Sequence, residues 1–282
     1  MEQGIKDHTI VITGGARGIG LAHAHYCAAQ GANVVIVDSG SDLDGTGGDS
    51  RLAHGAAREI ARAGGGSVCS SAIDVRSEGA FAEVLELALG MHGRLDAVIL
   101  NAGMHTEKRL LNLDSGDLEM SLGYLVAAFR WTQQAIAYWS TRQAAGALLL
   151  TTSSRAWHGR AEQAHLSAAD AAVLALVRSA AAELRQKPIR INAIAPFALS
   201  RQTRRWPESQ HVDPHAISAD YAAPLAAFLV SPSAKAVSGE VLSQSGARIY
   251  AIRPAQTPGV FLPELPVNLA DMATLVKEAL AQ

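Results

Sequence analysis

Residues 9–20, TIVITGGARGIG, join an apolar run directly to a turn that contains four glycines. The β-branched residues of the run favour a strand, and glycine lets the chain bend sharply and approach a ligand closely. If a helix follows the turn, its free N–H groups point towards a bound anion, which suits the pyrophosphate of a dinucleotide. The segment therefore predicts a strand, a ligand-binding turn and a helix as the first elements of an α/β fold.

Further along the chain, short apolar runs alternate with stretches rich in Ala and Leu. Strands that alternate with helices form right-handed crossovers and a parallel sheet covered by helices on both faces. We therefore expect a single Rossmann-type, doubly wound parallel sheet with strand order 3-2-1-4-5-6-7. The seven runs that predict its strands are TIVIT, NVVIVD, SVCSSAIDV, LDAVIL, ALLLTT, IRINAIA and GEVLSQ.

Two segments depart from this alternation. Residues 39–50, SGSDLDGTGGDS, follow the second predicted strand and favour turns, which indicates an inserted loop. Residues 254–267 contain four prolines, and Asn268 can begin a last helix. We therefore divide the chain into a dinucleotide-binding domain, residues 1–253, and a Pro-rich extension with a terminal helix, residues 254–282.

The charge of the chain is close to balanced, with 24 Lys and Arg against 26 Asp and Glu and a net charge of -2. Because no excess of basic residues would attract nucleic acid or an anionic membrane, we expect neither as a partner. The candidate partners that remain are small-molecule substrates or products and protein subunits. His211 and His215 have the spacing of metal ligands, but Pro214 interrupts the helix that would align them, so we expect no metal site.

The two cysteines, Cys27 and Cys69, lie in apolar surroundings without the spacing of a redox pair, which predicts reduced, buried thiols. The first residues lack the apolar core of a secretory signal, and no segment reaches about 18 uninterrupted apolar residues. We therefore expect the protein to be cytoplasmic.

Polar residues follow the predicted strands at the edge where ligands bind in open α/β sheets. Asp38 ends the second strand, Asp74 follows the third, and Asn101–Gly103 follow the fourth. Asp74 could also cap a helix, and Asn101 could serve a turn, and neither role excludes a contact with the ligand. Asp38 would accept hydrogen bonds from ribose hydroxyls and repel a 2'-phosphate, which favours NAD over NADP, although Arg17 in the glycine turn weakens that preference.

With these features the chain resembles the short-chain dehydrogenase/reductase family up to about Arg253. TGGARGIG is similar to the family's TGxxxGxG turn, NAG to its NNAG segment, and NAIAPFALSRQT to the segment after its sixth strand. The inserted loop and SGEVLSQSGARIYAIR look most like the branch that includes the dehydrogenase domains of multifunctional β-oxidation enzymes, which implies acyl-thioester substrates. Together, the strand-end residues and the resemblance assign NAD(H) contacts to Gly14, Arg17, Gly18, Ile19, Gly20, Asp38, Asp74, Val75, Asn101, Ala102, Gly103, Pro196, Ala198 and Ser200.

The resemblance also locates the family's catalytic positions, and most of them differ here. The family uses a Ser to polarise the substrate oxygen, a Tyr to transfer its proton, and a Lys four residues later to lower the pKa of the phenol. Here the Ser is Ser153, whereas Leu166 and Asp170 occupy the positions of the Tyr and the Lys. The family's Asn on the preceding helix corresponds to Tyr124.

These replacements oppose the family's standard chemistry. Leu166 carries no titratable proton, so acid–base help of typically about 10²–10⁴-fold would be lost. Asp170 places an anion one helical turn away, where the family has a cation that favours the phenolate. A unit charge about 5 Å away is worth roughly 3 kcal/mol at an effective dielectric of about 20, and reversing its sign roughly doubles the penalty.

Other side chains are candidates for the missing proton donor. Tyr124 would bring a phenol into the cleft if it points inward, although an aromatic on an apolar helix face more often belongs to the core. His158 follows Ser153 in the chain, and His165 adjoins Leu166 but points about 100° away on a helix. Bound water is a further alternative. We take Ser153 and Tyr124 as the candidate catalytic residues.

Three functions are compatible with this pattern. The first is an NAD(H)-dependent enzyme that acts on a secondary alcohol, ketone or hydroxyacyl substrate with a non-standard proton donor. The second is a catalytically inactive subunit of a hetero-oligomer with a complete family member, and a cofactor-independent cyclase, isomerase or dehydratase ranks third. Both leading hypotheses predict NAD binding, weakened by the absence of the family's Lys. Helical stretches 118–139 and 167–186 correspond to the family's main subunit interface, so we expect a homo- or hetero-oligomer, a dimer or tetramer.

Overall fold

The computed structural model describes residues 4–204, 211–262 and 268–281, and the chain divides into two compact units, 1–251 and 252–282. The first unit contains one sheet of eight strands in the order β3-β2-β1-β4-β5-β6-β7-β8. In chain order the strands are β1 (Thr9–Thr13), β2 (Asn33–Val37), β3 (Val68–Ser71), β4 (Ala97–Leu100), β5 (Gly146–Thr151), β6 (Ile189–Phe197), β7 (Val241–Ser245) and β8 (Arg248–Ala251).

Helices connect the parallel strands and pack on the sheet, as the alternation of apolar runs and Ala-rich stretches predicts. They are α1 (Gly18–Ala29), α2 (Ser50–Ala63), α3 (Ala80–His92), α4 (Ser115–Thr141), α5 (Arg155–His158), α6 (Ala164–Glu183) and α7 (Ala222–Val230). The expected doubly wound α/β fold is therefore confirmed, and the first seven strands follow the predicted order.

The sheet has one strand more than the sequence predicts. Strand β8 pairs antiparallel with β7 through a tight turn in which Ser245 lies opposite Arg248. Gly246, in the turn, has a φ of +54°, which favours glycine. All four residues of β8, RIYA, are exposed, so this edge strand lies outside the buried core although three of its residues are apolar.

The central strands are buried on both faces, which explains their continuous apolar sequences. Ile10 and Ile12 of β1, Ile99 of β4 and Leu149 of β5 are fully shielded from solvent. Helix α4 is anchored near the sheet by Trp131, whose indole Nε1–H donates to the carbonyl oxygen of Val75 at 3.1 Å. Because the parallel strands end on the same side, the polar residues that follow β1, β2, β4 and β5 lie along one edge.

The second unit, taken by itself, contains helix α8 (Leu269–Ala281). The side-chain oxygen of Asn268 accepts hydrogen bonds from the backbone N–H groups of Ala270 and Asp271, each at 2.9 Å, so that Asn268 caps the helix. Within the described parts of the chain, no helix combines the length and the apolar character that crossing a membrane requires.

Candidate active site

The glycine-rich turn after β1 is packed too closely to admit side chains at two of its positions. Gly14 has a φ of +63°, and a β-carbon there would lie 2.9 Å from the Cα of Ala102. A β-carbon on Gly20 would lie 2.1 Å from the carbonyl oxygen of Gly14. The turn, the start of α1 and the end of β4 are therefore in direct backbone contact, which leaves the N-terminus of α1 facing the carboxyl edge of the sheet.

The Asp38 carboxylate lies at the end of β2 and is held by backbone donors. Its Oδ2 accepts from the N–H of Ala16 at 3.0 Å, and its Oδ1 accepts from the N–H of Gly40 at 2.8 Å. The guanidinium of Arg17 lies 3.9 Å from Oδ1 and donates to the carbonyl oxygen of Ser41 at 2.7 Å. Asp38 is thus positioned beside the glycine turn, with a cation close to it.

Asn101 ties the ends of β4 and β1 together. Its side-chain Nδ2 donates to the carbonyl oxygens of Thr13 at 3.2 Å and Gly14 at 3.3 Å. Asp74 caps no helix, because α3 begins only at Ala80; instead its Oδ1 accepts from the N–H of Arg76 at 2.8 Å within the turn after β3, and it forms an ion pair with that side chain at 2.6 Å. Burial raises the pKa of Asp74, but the hydrogen bonds from Arg76 outweigh it, so the pKa lies below its usual value.

Two adjoining cavities lie along this edge. One, of about 160 Å³, extends from the glycine turn to Asp38 and Asp74, and the other, of about 310 Å³, surrounds Ser153. Gly20 and Ala198 line neither cavity: Gly20 packs on Gly14, and Ala198 is fully buried. The other predicted NAD(H) residues line one cavity or both, and they are Gly14, Arg17, Gly18, Ile19, Asp38, Asp74, Val75, Asn101, Ala102, Gly103, Pro196 and Ser200.

The inserted loop, residues 39–50, packs against Tyr124 of α4. A β-carbon on Gly45 would lie 3.2 Å from Cε2 of the Tyr124 ring, so the loop and the ring are in contact. The guanidinium of Arg76 lies 4.9 Å from the centre of that ring and donates to the carbonyl oxygen of Gly45 at 2.9 Å. Arg76 and Tyr124 thus hold the inserted loop beside the smaller cavity.

Tyr124 lines both cavities, and its ring lies against the inserted loop at Gly45. Burial raises the pKa of Tyr124, while a hydrogen bond from Ser41 and the positive charge of Arg76 oppose that rise. The phenol therefore stays protonated at neutral pH, and Tyr124 is an uncharged side chain that lies between the two cavities.

The side chain of Ser153, at the end of β5, is hydrogen-bonded to Asp170, which occupies the family's Lys position. Its Oγ–H donates to Oδ2 of Asp170 at 2.7 Å, and Nε of Arg155 donates to the same oxygen at 2.7 Å. The side chains of Arg155 and Asp170 are only 11% and 16% exposed. Burial raises the pKa of Asp170, although Arg155 and Ser153 favour its charged form.

Arg155 belongs to a longer polar chain that sequence reasoning did not identify. Its Nη1 donates to Oε1 of Gln163 at 3.1 Å, and Nε2 of Gln163 donates to Oε1 of Glu107 at 3.0 Å. Gln163 is fully buried. One feature of the sequence could have indicated this network: Arg155 is a basic residue two positions after Ser153, in the segment that follows a strand end.

The wall of the larger cavity is largely apolar around this polar group. Leu166, one turn before Asp170 on α6, is 4% exposed and lines the cavity together with Trp131 and Val173. Among the described residues that line it, the titratable side chains are those of Tyr124, Arg155, Asp170 and Tyr250, and none is a lysine.

The two histidines weighed as proton donors lie outside both cavities. Nε2 of His165 pairs with the hydroxyl of Thr106 at 2.8 Å, and burial lowers the pKa of its imidazole. His165 therefore faces away from Leu166, as the helical periodicity predicts. His158, at the end of α5, is exposed and packs beside Trp157, with ring centres 5.8 Å apart.

Comparison with known proteins shows which protein family, relatives and solved structures this chain is similar to. A sequence model of the short chain dehydrogenase family matches residues 8–210. The peroxisomal multifunctional enzyme type 2 of Mus musculus is 32% identical over 225 residues, which cover 79% of this chain and 30% of that enzyme. The peroxisomal hydratase-dehydrogenase-epimerase of Saccharomyces cerevisiae is 31% identical over 207 residues, which cover 70% of this chain and 22% of that enzyme. The chain thus spans under a third of these two relatives.

A relative of more similar length and a solved structure extend the comparison. A hydroxyacyl-CoA dehydrogenase of Mycobacterium tuberculosis is 31% identical over 258 residues, which cover 86% of this chain and 79% of that enzyme. The crystal structure of a short chain dehydrogenase from Mycobacterium avium superposes with a TM-score of 0.82 at 26% identity and covers 98% of this chain and 96% of its own.

Proposed function

The chain belongs to the short-chain dehydrogenase/reductase family, and on that premise we propose that it binds NAD(H) and transfers hydride with a non-standard proton donor. The substrate is a secondary alcohol or ketone, of which a hydroxyacyl thioester is the leading class. Hydroxyacyl-CoA dehydrogenase activity is named for one relative, which supports that class. The single observation that carries the proposal is Ser153, bonded to Asp170 at 2.7 Å in the wall of a cavity that adjoins the glycine turn.

The residues at the smaller cavity fit a dinucleotide. Gly14 and Gly18 line this cavity at the N-terminus of α1, where backbone N–H groups suit a pyrophosphate, and Asp38 offers a carboxylate to ribose hydroxyls. When bound, a nicotinamide cofactor supplies the hydride donor or acceptor. Asp38 favours NAD over NADP, and Asp170 in place of the family's Lys gives no cationic contact to ribose, so we propose weak binding of NAD(H).

Calorimetric titration with NADH and NADPH tests the cofactor assignment. We expect NADH to bind more tightly, and Asp38→Asn to weaken its affinity by about tenfold because an acceptor for the ribose and backbone donors is lost. Asp44→Asn, an exposed residue of the same inserted loop, is the matched control and should leave the affinity unchanged. Failure of the wild-type protein to bind either nucleotide would refute the assignment.

Single-turnover oxidation of NADH with β-ketoacyl thioesters and simple ketones tests hydride transfer. Ser153→Ala should slow the reaction by about 10²-fold, because the hydroxyl next to Asp170 is lost. Tyr124→Phe should slow it much less, because the Tyr124 ring packs against Gly45 of the inserted loop and Arg76, and Phe keeps that packing. A rate for Ser153→Ala equal to that of the wild type would remove the role assigned to Ser153, and a fall of about 10²-fold in Tyr124→Phe would instead make Tyr124 the proton donor.

A second candidate function is that of an inactive subunit which assembles with a complete family member. In this reading Leu166 and Asp170, at the family's Tyr and Lys positions, mark a lost proton-transfer pair. The observation that favours assembly is an exposed apolar stripe on α4, formed by Leu118, Leu122, Val126 and Phe129, each 44–47% exposed. Their spacing places them on one helix face, which is typical of a surface that a subunit covers.

Two experiments separate the candidates. Purification from the native source, followed by mass measurement of the intact assembly, should reveal a second family member if the chain is an inactive subunit, and a homo-oligomer if it is not. The double substitution of Leu166→Tyr and Asp170→Lys should create dehydrogenase activity if only proton transfer is missing. Turnover by the wild-type homo-oligomer would exclude the inactive-subunit candidate.

The thiols fit a reducing compartment, for which we propose the cytoplasm. Cys27 and Cys69 are both free, and burial raises the pKa of Cys27 to about 12. A thiol held protonated in this way reacts slowly with oxidants. Fractionation of the native source would test the assignment, and recovery of the protein in a membrane-bound organelle would contradict it.

A further inference from the structure

Two hydrogen bonds converge on a single oxygen in the larger cavity. Oδ2 of Asp170 accepts from Oγ of Ser153 and from Nε of Arg155, each at 2.7 Å. Charge-assisted hydrogen bonds of this length are stronger than neutral ones. Both donors come from the segment that follows β5, whereas Asp170 lies in α6, so the contact joins two separate elements at the cavity wall.

This geometry determines whether the Ser153 hydroxyl donates or accepts a hydrogen bond towards the substrate. A hydroxyl has one hydrogen and two lone pairs, and here the hydrogen points at Asp170. While that bond lasts, Oγ cannot donate to a substrate oxygen, but it can accept a hydrogen bond from a substrate hydroxyl. Ser153 is therefore arranged to pass a proton from an alcohol towards a carboxylate.

We propose that Asp170 is the proton-transfer group of this site and that Ser153 relays the proton between Asp170 and the substrate oxygen. The inference deepens the proposed function and rests on it. In alcohol oxidation, the substrate O–H bond breaks as its proton joins Oγ of Ser153, and the serine proton moves to Oδ2 of Asp170. The two electrons leave the carbinol carbon as hydride, for which NAD⁺ is the oxidant. The products are the ketone, NADH and a protonated Asp170, and ketone reduction reverses each transfer.

Charge and burial around Asp170 suit both directions of this transfer. Burial raises the pKa of Asp170 and makes the carboxyl a donor nearer neutral pH, while Arg155 and Ser153 stabilise the carboxylate that must accept. The described titratable groups that face it across the cavity are Tyr124 from α4, Arg155 from α5 and Tyr250 from β8. The stretch of β6 that lines the cavity, Ala195–Phe197, adds no charge.

The competing donors are less well placed. The ring of Tyr124 lies against Gly45 of the inserted loop and under the guanidinium of Arg76, and the hydrogen bonds that hold Ser153 and Asp170 do not include it. His165 pairs with Thr106 at 2.8 Å and lines neither cavity. Of the described side chains that line the larger cavity, Asp170 is the one carboxyl group.

Asp170→Asn tests the relay through its pH profile. The amide keeps the size of the side chain but cannot take up a proton, so we expect kcat for ketone reduction to fall by at least about 10²-fold and the limb assigned to Asp170 to vanish from the pH profile. NADH affinity should stay within about threefold of the wild-type value. Glu183→Gln, on the exposed end of the same helix, is the matched control and should retain the wild-type profile.

A second readout needs neither cofactor nor turnover. Titration of the Asp170 carboxyl by ¹³C NMR, assigned by its loss in Asp170→Asn, measures its pKa directly. Ser153→Ala should raise that pKa, because a hydrogen bond to the charged form is lost. Ser154→Ala, the exposed neighbour, should leave it in place.

The outcomes distinguish the relay from the function on which it rests. An active wild type with an inactive Asp170→Asn and a carboxyl pKa that responds to Ser153→Ala supports the relay. An active wild type with an equally active Asp170→Asn overturns the relay and leaves the dehydrogenase function standing. A wild type that transfers no hydride to any acceptor overturns both, and a carboxyl pKa indifferent to Ser153 overturns the coupling that the relay requires.

Discussion

Arg155 and Asp170 form an ion pair with a separation of 2.7 Å between Nε and Oδ2, and both side chains are largely shielded from water. Fifteen residues separate them in the chain, and the short helix α5 and the turn after it bring them together. Removal of one partner from such a pair leaves an uncompensated charge in a poorly hydrated place, so the pair is expected to matter for stability as well as for chemistry.

Arg155→Ala should lower the free energy of unfolding by about 3 kcal/mol near neutral pH, because the Asp170 carboxylate loses its counter-charge. The substitution should raise the pKa of Asp170 further. A carboxyl whose pKa is raised by folding loses stability as the pH rises through that pKa, so the deficit should shrink as the pH falls through it. Urea unfolding across pH measures this, with the exposed Arg58→Ala as the control. A deficit independent of pH would contradict the assignment.

Gly20→Ala should disrupt the glycine-rich turn. The added β-carbon would lie 2.1 Å from the Gly14 carbonyl oxygen, so the backbone must shift, at a cost of about 1–3 kcal/mol in unfolding free energy and with loss of NADH affinity. Gly55→Ala is the matched control, because a β-carbon there meets no atom within 4 Å and lies within α2. It should stabilise the protein by about 1 kcal/mol. Similar thermal unfolding of the two variants would contradict the packing described here.

Arg76→Ala should release the inserted loop from α4. The substitution removes the hydrogen bond to Gly45 and the cation beside Tyr124, which together hold the loop. Amide hydrogen exchange in residues 39–50 should accelerate by about tenfold, which corresponds to the loss of one charge-assisted hydrogen bond. Arg58→Ala provides the control, because that side chain is exposed on α2, outside the loop. Unchanged exchange in Arg76→Ala would show that other contacts hold the loop.

His23 should make the fold sensitive to acid. It is fully buried in α1, neither ring nitrogen has a hydrogen-bond partner among the described residues, and burial lowers its pKa to about 4. Because the unfolded chain binds this proton near pH 6.5 and the folded chain does not, stability falls as the pH drops from about 6.5 to about 4, by about 3 kcal/mol.

Substitution of His23 by Leu should flatten that part of the pH–stability curve. The half-exposed His25 lies on the same helix, so His25→Leu is the matched control and should leave the slope as it is. Chemical unfolding at several pH values provides the measurement. An equally steep curve in His23→Leu would assign the acid sensitivity to other groups.

The carboxyl edge of the sheet, where we propose that the dinucleotide binds, could be predicted from local sequence, because its residues directly follow their own strands. Gly14, Asp38 and Asn101 each come at the end of an apolar run, and parallel pairing brings those ends to one side of the sheet. Strand β8 was not predicted, because its apolar stretch is only three residues long and its pairing with β7 depends on a two-residue hairpin turn that the strand runs alone did not indicate.

The surroundings of Asp170 depend on contacts that a linear pattern does not carry. The spacing from Ser153 placed Leu166 and Asp170 on one face of α6, and both do line the cavity. The ion pair with Arg155 depends on how α5 returns the chain towards α6, which spacing does not reveal. The position of Tyr124 likewise depends on Arg76, which comes from a different loop.

The ion pair between Arg155 and Asp170 also determines which kind of substrate the larger cavity can bind. Among its described lining residues, these two carry the full charges, one of each sign, and they neutralise each other within the wall. An uncharged carbonyl compound can therefore enter without displacing a counterion, and a charged head group gains no net attraction. The apolar surfaces of Leu166 and Trp131 then select among substrates by their shape.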